Sequence, residues 1–319
     1  MKGINLALFD FDRHNALYYF ILNSDEEIYL RYGGRDSASA TTYLNAQSFD
    51  LALRQGLKKH QLTREKKRAS PKKEKPIFPR DIPSLNRAVV QQNRCVECHL
   101  IADYQAIEFE ELGNLFKPRD LYQSPDIKNL GIELVIKEGL VVKKTPGLLP
   151  NDLITHINDN EVLTFADLQY QLNKIDRAAK KLTIGIQRAE QSLEIGFPLP
   201  REWWVTDLTH RRWTIDPQVY FQATPLTSSE KKSLKLPENG FASRVVKVGI
   251  DAILNEAHTL KVGDIITATN GLQENKLTQN VVTHLKLNYR AGSSLTRNVI
   301  RDQKDFKISL KTGRLSYRK

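Results

Sequence analysis

The sequence predicts an α+β protein: two similar, partly open β-barrels, preceded by a β-β-α fragment and a small helical segment. Three observations predict it. A block of short strands around one helix recurs 112 residues further on, where Val262-Gly263-Asp264-Ile265-Ile266-Thr267 echoes Pro150-Asn151-Asp152-Leu153-Ile154-Thr155 and Asn270-Gly271 echoes Asn158-Asp159. An aromatic-rich apolar run, a turn and an alternating run precede a helical pattern near the N-terminus. The only two cysteines sit together in Cys95-Val96-Glu97-Cys98-His99, inside a stretch of helical periodicity. The boundaries read 1–60 for the β-β-α fragment, 61–82 for a basic linker and 83–125 for the cysteine segment. The first repeat covers 126–200, a tryptophan-containing bridge 201–235 and the second repeat 236–319.

Taken in order, residues 16–22 are a buried strand, Asn23-Ser24-Asp25-Glu26 a turn, and residues 27–32 a second strand closed by Gly33-Gly34. Phe49, Leu53 and Leu57 share one face of the following helix, with Leu51 beside it. From Lys58 to Lys75, nine basic residues stand against Glu65 and Glu74, which accounts for seven of the eleven net positive charges. That run has almost nothing apolar to bury and reads as a solvated linker rather than a nucleic-acid face, which needs aromatics interleaved on a folded module. Leu85, Val89 and Val90 lead into the cysteine segment. Ile107, Phe109, Leu112, Leu115 and Phe116 form an apolar shelf or a small core. In the first repeat, strands near 140–143 and 153–157 precede a helix from about 164 to 175, with Phe165, Leu168 and Leu172 on one stripe, and a closing hairpin over 182–197. In the second repeat the helix spans about 278–287 and the hairpin 294–310.

C-x-x-C-H is the attachment signal for a c-type haem, because two thiols add across the porphyrin vinyls and the adjacent imidazole takes the proximal iron position. Cys95, Cys98 and His99 are therefore the candidate cofactor residues, with His99 on the haem iron. The same residues also read as a thiol–disulfide pair, as half of a zinc site that would need two further ligands, or as no site at all. The one methionine, Met1, is remote from the motif in sequence. The distal iron position is thus expected to be taken by His60, His156 or His210, or to stand open. No run of about 18 apolar residues encodes a membrane span. Gly292-Ser293-Ser294-Leu295 does not fit the G-x-S-x-G nucleophile turn, and neither H-E-x-x-H nor a P-loop occurs, so no proteolytic or nucleotide chemistry is encoded.

G-D-x-I-x-x-x-N-G after a strand, followed by a helix and a hairpin, resembles bacterial PDZ domains of the HtrA type. Gly263-Asp264-Ile265-Ile266 with Asn270-Gly271 carries the match, and Asn151 replaces the glycine in the first copy, where asparagine tolerates the left-handed turn. Residues 144–149 run straight through where such domains carry a small helix. The resemblance implies peptide binding by strand addition beside the long helix, with backbone N–H groups holding the terminal carboxylate. It places that loop at Leu130, Gly131 and Ile132 in the first copy, with Phe165, Leu168 and Leu172 as pocket and core positions, and at Gly240, Phe241 and Ala242 in the second. The partners implied are peptide or protein C-termini, together with a redox partner.

The order of the whole chain is similar to a bacterial thioredoxin/PDZ (seleno)protein family. The matching strings are Leu8-Phe9-Asp10-Phe11-Asp12, Ile28-Tyr29-Leu30-Arg31-Tyr32-Gly33, Trp203-Trp204 with Asp207-Leu208, Leu285-Lys286-Leu287-Asn288-Tyr289 and Val299-Ile300-Arg301-Asp302. The resemblance implies that the first 60 residues are the second half of a thioredoxin-like fold, with a redox-active cysteine or selenocysteine just upstream of Leu8. Met1 is therefore expected not to be the true start. Haem attachment is extracytoplasmic in bacteria, so the expected place is the periplasm or cell envelope if the chain starts upstream, and the cytoplasm if Met1 is the start. The function expected is a redox-associated adaptor that binds peptide C-termini and carries one haem c. The alternatives are a thiol-disulfide or peroxide-handling enzyme whose catalytic half lies upstream, and a PDZ scaffold without haem.

Overall fold

A computed structural model describes residues 1–15, 17–36, 38–65, 75–206, 217–250, 252, 256, 259–275 and 278–313. Most of the basic linker, the Asp207-Leu208 string and His210 lie outside the described residues. The chain divides into two compact units, Met1–Leu208 and Thr209–Lys319.

The first unit opens with an antiparallel hairpin, β1 (Tyr18–Leu22) and β2 (Ile28–Gly33), whose register pairs Tyr19 with Tyr32 and Ile21 with Leu30. Asn23 closes its turn by accepting from the N–H groups of Asp25 and Glu27. The helix α1 (Ala46–Glu65) packs on this hairpin, but not by the face its large residues suggest. Leu53 and Leu57 are 47% and 59% exposed, while Ser48, Ala52 and Gly56 are buried. A side chain at Gly56 would bring its Cβ within 2.7 Å of Ile21 Cγ2, so close approach of helix and hairpin requires glycine there. The small core holds Leu30, Tyr32 and Ala52, with Ile21, Leu44, Phe49 and Leu163 against it.

The cysteine segment builds a second small core from α2 (Pro83–Leu85), a π-turn over Asn86–Val90, and α3 (Cys98–Glu111), followed by α4 (Lys117–Asp120). Ile82, Leu85, Val89, Val96 and Ile101 are joined there by Leu6 and Ile4 from the chain start. Leu6 donates to the Ile77 carbonyl and the Met1 ammonium to that of Val96. Residues 1–6 therefore belong with 77–104, not with the β-β-α fragment expected to own them.

The first repeat contains β3 (Glu133–Leu134) paired with β4 (Val142–Lys144). Its four-stranded sheet runs in the order β6-β5-β7-β8, from β5 (Leu153–Ile157), β6 (Asn160–Glu161), β7 (Lys181–Arg188) and β8 (Gln191–Pro198), with α5 (Phe165–Lys174) beside it. Trp203 and Trp204, expected in a bridge, are 2% and 1% exposed within this unit. Trp204 packs edge-on against Tyr122, and Arg177 lies over Trp203.

The second unit is a five-stranded sheet in the order β13-β12-β11-β10-β9. Its strands are β9 (Phe221–Pro225), β10 (Ser243–Val248), β11 (Ile265–Thr269), β12 (Ser294–Arg301) and β13 (Lys304–Lys311). The helices α6 (Ser228–Ser233) and α7 (Val281–Asn288) complete it. The core gathers Phe221, Phe241, Val245, Ile266, Val281, Leu285, Leu295 and Val299. Both repeats are open sheets rather than the partly open barrels expected. The strand β9 belongs to the second repeat rather than to the bridge.

Candidate functional site

The repeat is a physical one. Asn151 and Gly263 hold φ of 71° and 96°, so the asparagine does adopt the left-handed turn that glycine takes in the other copy. Each turn presents an aspartate that is 1% exposed, Asp152 or Asp264. Arg188 grips Asp152 through two bonds of 2.8 Å, and Arg301 grips Asp264 through two of 2.7 Å. The N–H groups of Leu149 and Lys261 donate to the same carboxylates. The Arg188 guanidinium holds Asp152 below the usual carboxylate range, and the bonds from Arg301 and Lys261 do so for Asp264 against its burial. Neither arginine carried a motif; only their spacing of 113 residues, one more than the repeat offset, could have revealed them.

These turns fix which strand edge is free. The Val245 N–H donates to Asp264 and its carbonyl accepts from Gly263, so Val245 faces β11. Val245 lies opposite Ala223, and the Leu226 N–H bonds back to Ala242. By the alternation of an antiparallel ladder, Ala223 directs its N–H and C=O away from β10, toward the open edge. Pro225 has the same parity, and a proline is tolerated there because its missing N–H would face outward. This edge runs beside α7, and Val219, Tyr220, Ala223, Val282 and Tyr289 line it, half-buried on the core. The cleft between β9 and α7 thus offers backbone groups for strand addition and an apolar floor.

The same logic holds in the first repeat. Val142 donates to Asp152 and accepts from Asn151, and it lies opposite Leu134. Leu134 therefore matches Ala223, Ile132 matches Phe221, and Leu130 and Gly131 match Val219 and Tyr220. Leu130 ends a 3-10 turn over Ile127–Leu130, and Gly131 caps it at φ 77°. Gly240, Phe241 and Ala242 lie after α6 instead. Phe241 is fully buried against His284, and Ala242 backs a second apolar cluster with Leu226 and Ile265. The sequence placed the loop of the second copy one strand too late.

On α5, Leu168 and Leu172 are fully buried, and Phe165 and Gln169 form the neighbouring stripe, also buried. Tyr43 stacks face to face on Phe165. Gln169 donates to the carbonyls of Arg35 and Pro125 at 3.0 and 3.2 Å. On the next stripe, Asp167 accepts from the Arg31 N–H at 2.9 Å and Thr164 donates to the Arg31 carbonyl. Burial pushes Asp167 up to about 6 despite Arg31.

Cys95 is exposed, Cys98 is half-buried, and both are free thiols. Cys98 opens α3, and His99 in its first turn is exposed, with Nδ1 3.4 Å from the Glu97 carboxylate. As a donor set for a covalent haem, two accessible thiols and an accessible imidazole fit. The apolar shelf does not join them. Phe109, Leu112 and Phe116 are exposed, and Phe109 lies about 16 Å along the axis from Cys98 at the helical rise per residue. Met1, remote from the motif in sequence, lies beside it in space, its Sδ 2.9 Å from Cys98 Sγ. His60 is engaged by the Tyr29 hydroxyl at 2.8 Å. Among the described residues no three His, Cys, Asp or Glu side chains gather as a metal site, and no helix is long and apolar enough to cross a membrane.

No family model matches the chain, and no curated protein matches it. Solved structures similar to parts of it include the HtrA-type protease AlgW with a decapeptide, at 16% identity and a TM-score of 0.27 over 51% of this chain and 54% of that one. The same protease with a tripeptide matches at 18% identity and a TM-score of 0.26, over 42% and 48%. An aminopeptidase N family protein from Idiomarina loihiensis matches at 21% and 0.21, over 33% of this chain and 14% of that one. The chain spans about half the length of these HtrA-type proteins, or less.

Proposed function

We propose that the chain is a peptide-binding scaffold of two PDZ-like modules, with the β9–α7 cleft of the second as the working site. The supporting observation is the outward-facing backbone of Ala223 on an edge strand beside a helix and an apolar floor. A peptide adds as a sixth strand, with its terminal carboxylate at Val219 and Tyr220, which precede β9 as Leu130 and Gly131 precede β3. Labelled hexapeptides of degenerate sequence with a free C-terminus test this by fluorescence anisotropy. Saturable binding of modest affinity, lost on amidation and lost in Ala223→Pro, is expected. Equal binding of amidated peptides refutes end capture, and binding unchanged in Ala223→Pro removes it from β9.

A haem c on Cys95 and Cys98, with His99 proximal, is the second part of the reading. It is supported by the two free thiols and the exposed ring. Such a group supplies one-electron transfer, and its attachment implies an extracytoplasmic site for the protein. Protein made in a host with a haem-attachment system, then denatured and extracted with acid acetone, should retain porphyrin by mass spectrometry. Retention of none leaves a scaffold with a thiol pair.

A further inference from the structure

We infer that residues 34–36 and 38–43 are a built-in ligand of the first module's groove, so that the intact chain offers one peptide site and not two. The inference rests on the strand-addition reading, because it takes β3 and α5 as the counterparts of β9 and α7.

If Leu134 matches Ala223, the first groove lies between β3 and the Phe165–Gln169 stripe of α5. Residues 34–36 and 38–43 meet it on α5 and at the turn that precedes β3. At the carboxylate end, Asp36 is clasped by Lys128 Nζ at 2.7 Å, and it also accepts from the N–H groups of Ala38 and Ser39 and the Thr42 hydroxyl. These bonds outweigh its burial and hold its carboxyl below the ordinary range. Gln169 bridges the Arg35 carbonyl to that of Pro125, beside the same loop. Along the helix, a Cβ on Gly34 would stand 2.9 Å from Gln169 Oε1 and 3.1 Å from Phe165, so the backbone lies directly on α5. The Tyr43 ring covers Phe165 and lies 5.8 Å from the same Lys128 ammonium, its hydroxyl bonds Asp126, and Asn45, beyond the segment, reaches the Ile136 carbonyl just past β3 with its Nδ2.

Tyr43 is 4% exposed, so an external peptide could not enter without ejecting it. The segment supplies what a peptide would: an anionic group at the loop end, backbone against the helix, and an aromatic anchor. Its effective concentration at the groove is that of a tethered ligand, which a free peptide of modest affinity does not match. On β9, by contrast, Gln222, Thr224 and Pro225 are exposed.

The test compares the intact chain with Asp36→Ala/Tyr43→Ala by hydrogen exchange, with and without the free-acid hexapeptide library. In the intact chain, peptide should slow exchange at β9 and α7 only. In the double variant it should slow exchange at β3 and α5 as well, and without peptide α5 should exchange faster by about tenfold or more. Peptide protection at β3 and α5 in the intact chain overturns the inference, as does peptide-free exchange of α5 that is equal in both proteins. Should the double variant fail to fold, Lys128→Ala opens the clasp alone from an exposed position, and the same two outcomes decide. Absence of peptide protection at β9 and α7 refutes the proposed function instead, and the peptide-free comparison of α5 still decides the occupancy of the first groove.

Discussion

The two modules share one frame and differ at one edge. Both have the left-handed turn and the buried aspartate gripped by an arginine. In the first, β3 is two residues long, and Gly34, Arg35 and Tyr43 pack on α5. In the second, β9 is five residues long, and α6 separates it from β10. The frame sets which backbone groups face outward, and the neighbouring chain decides whether anything can reach them. A repeat of fold is therefore not a repeat of function.

The frame itself is tested most severely at its aspartates. Asp152→Ala and Asp264→Ala each remove the acceptor of a two-pronged arginine and of a turn N–H. A loss of about 3 kcal/mol is expected from each, at the low end for a broken buried pair because the arginines reach water. Hydrogen exchange of β5 and of β11 should register matching losses, each confined to its own unit. A large loss in one and none in the other would break the equivalence from which the free edges are assigned.

Acid should then separate the units. The pKa of Asp167 is raised to about 6 by burial, above its unfolded value near 4. Its contribution is complete below pH 4 and is lost as pH rises through 6. Asp126, also raised by burial, acts in the same direction. His284 is lowered to about 4 by burial and by Arg297, below its unfolded value near 6.5. Its contribution is complete above pH 6.5 and is lost as pH falls through 4. From pH 6.5 down to 4 these groups stabilise the first unit and destabilise the second, each by up to about 3 kcal/mol. Asp167→Asn and His284→Phe should each flatten the slope of their own unit. Unfolding that shifts the same way in both units across this range would contradict the assignment.

Much of this was legible in the sequence, and the failures have physical causes. Strand and helix order followed from periodicity, and the turn at Asn151 from the conformational tolerance of asparagine. The face of α1 was only partly legible: Phe49 does pack on the core, but Leu53 and Leu57 are exposed, because the helix approaches Ile21 through Gly56, joins the core through Ala52 and bonds Tyr32 through Ser48. The second loop was misplaced because β9, with Gln222, Thr224 and Pro225, lacks the apolar alternation of a strand. Its edge position explains that composition, since an exposed edge is where polar residues and proline belong. The union of residues 4–6 with the cysteine segment is a contact across some 80 residues of chain, and no local pattern announces it. The segment that fills the first groove was invisible for the same reason. Of the candidate site residues, Phe165 lies on that groove, Leu168 and Leu172 lie in the core beneath it, and Gly240, Phe241 and Ala242 lie away from the second.

The smallest expected effect concerns two buried arginines, one in each unit. Arg177 is 4% exposed and donates to the carbonyls of Pro118, Tyr122, Leu172, Asn173 and Ile175, so its charge is spread over several acceptors. Arg297 is fully buried on the inward face of β12 between Leu295 and Val299. It makes one bond of 3.3 Å to the Thr296 carbonyl, while its Nε and Nη2 have no partner, and neither does the hydroxyl of Thr269 directly across the ladder. Burial lowers its pKa to about 10. A buried cation without a carboxylate costs more in lost hydration than its single bond returns, and methionine has the length to fill its space. Arg297→Met should therefore stabilise the second unit by about 1 kcal/mol, or roughly 4–8 °C in the Tm of a unit this size. The first unit should be unmoved. A fall in Tm would contradict the assignment.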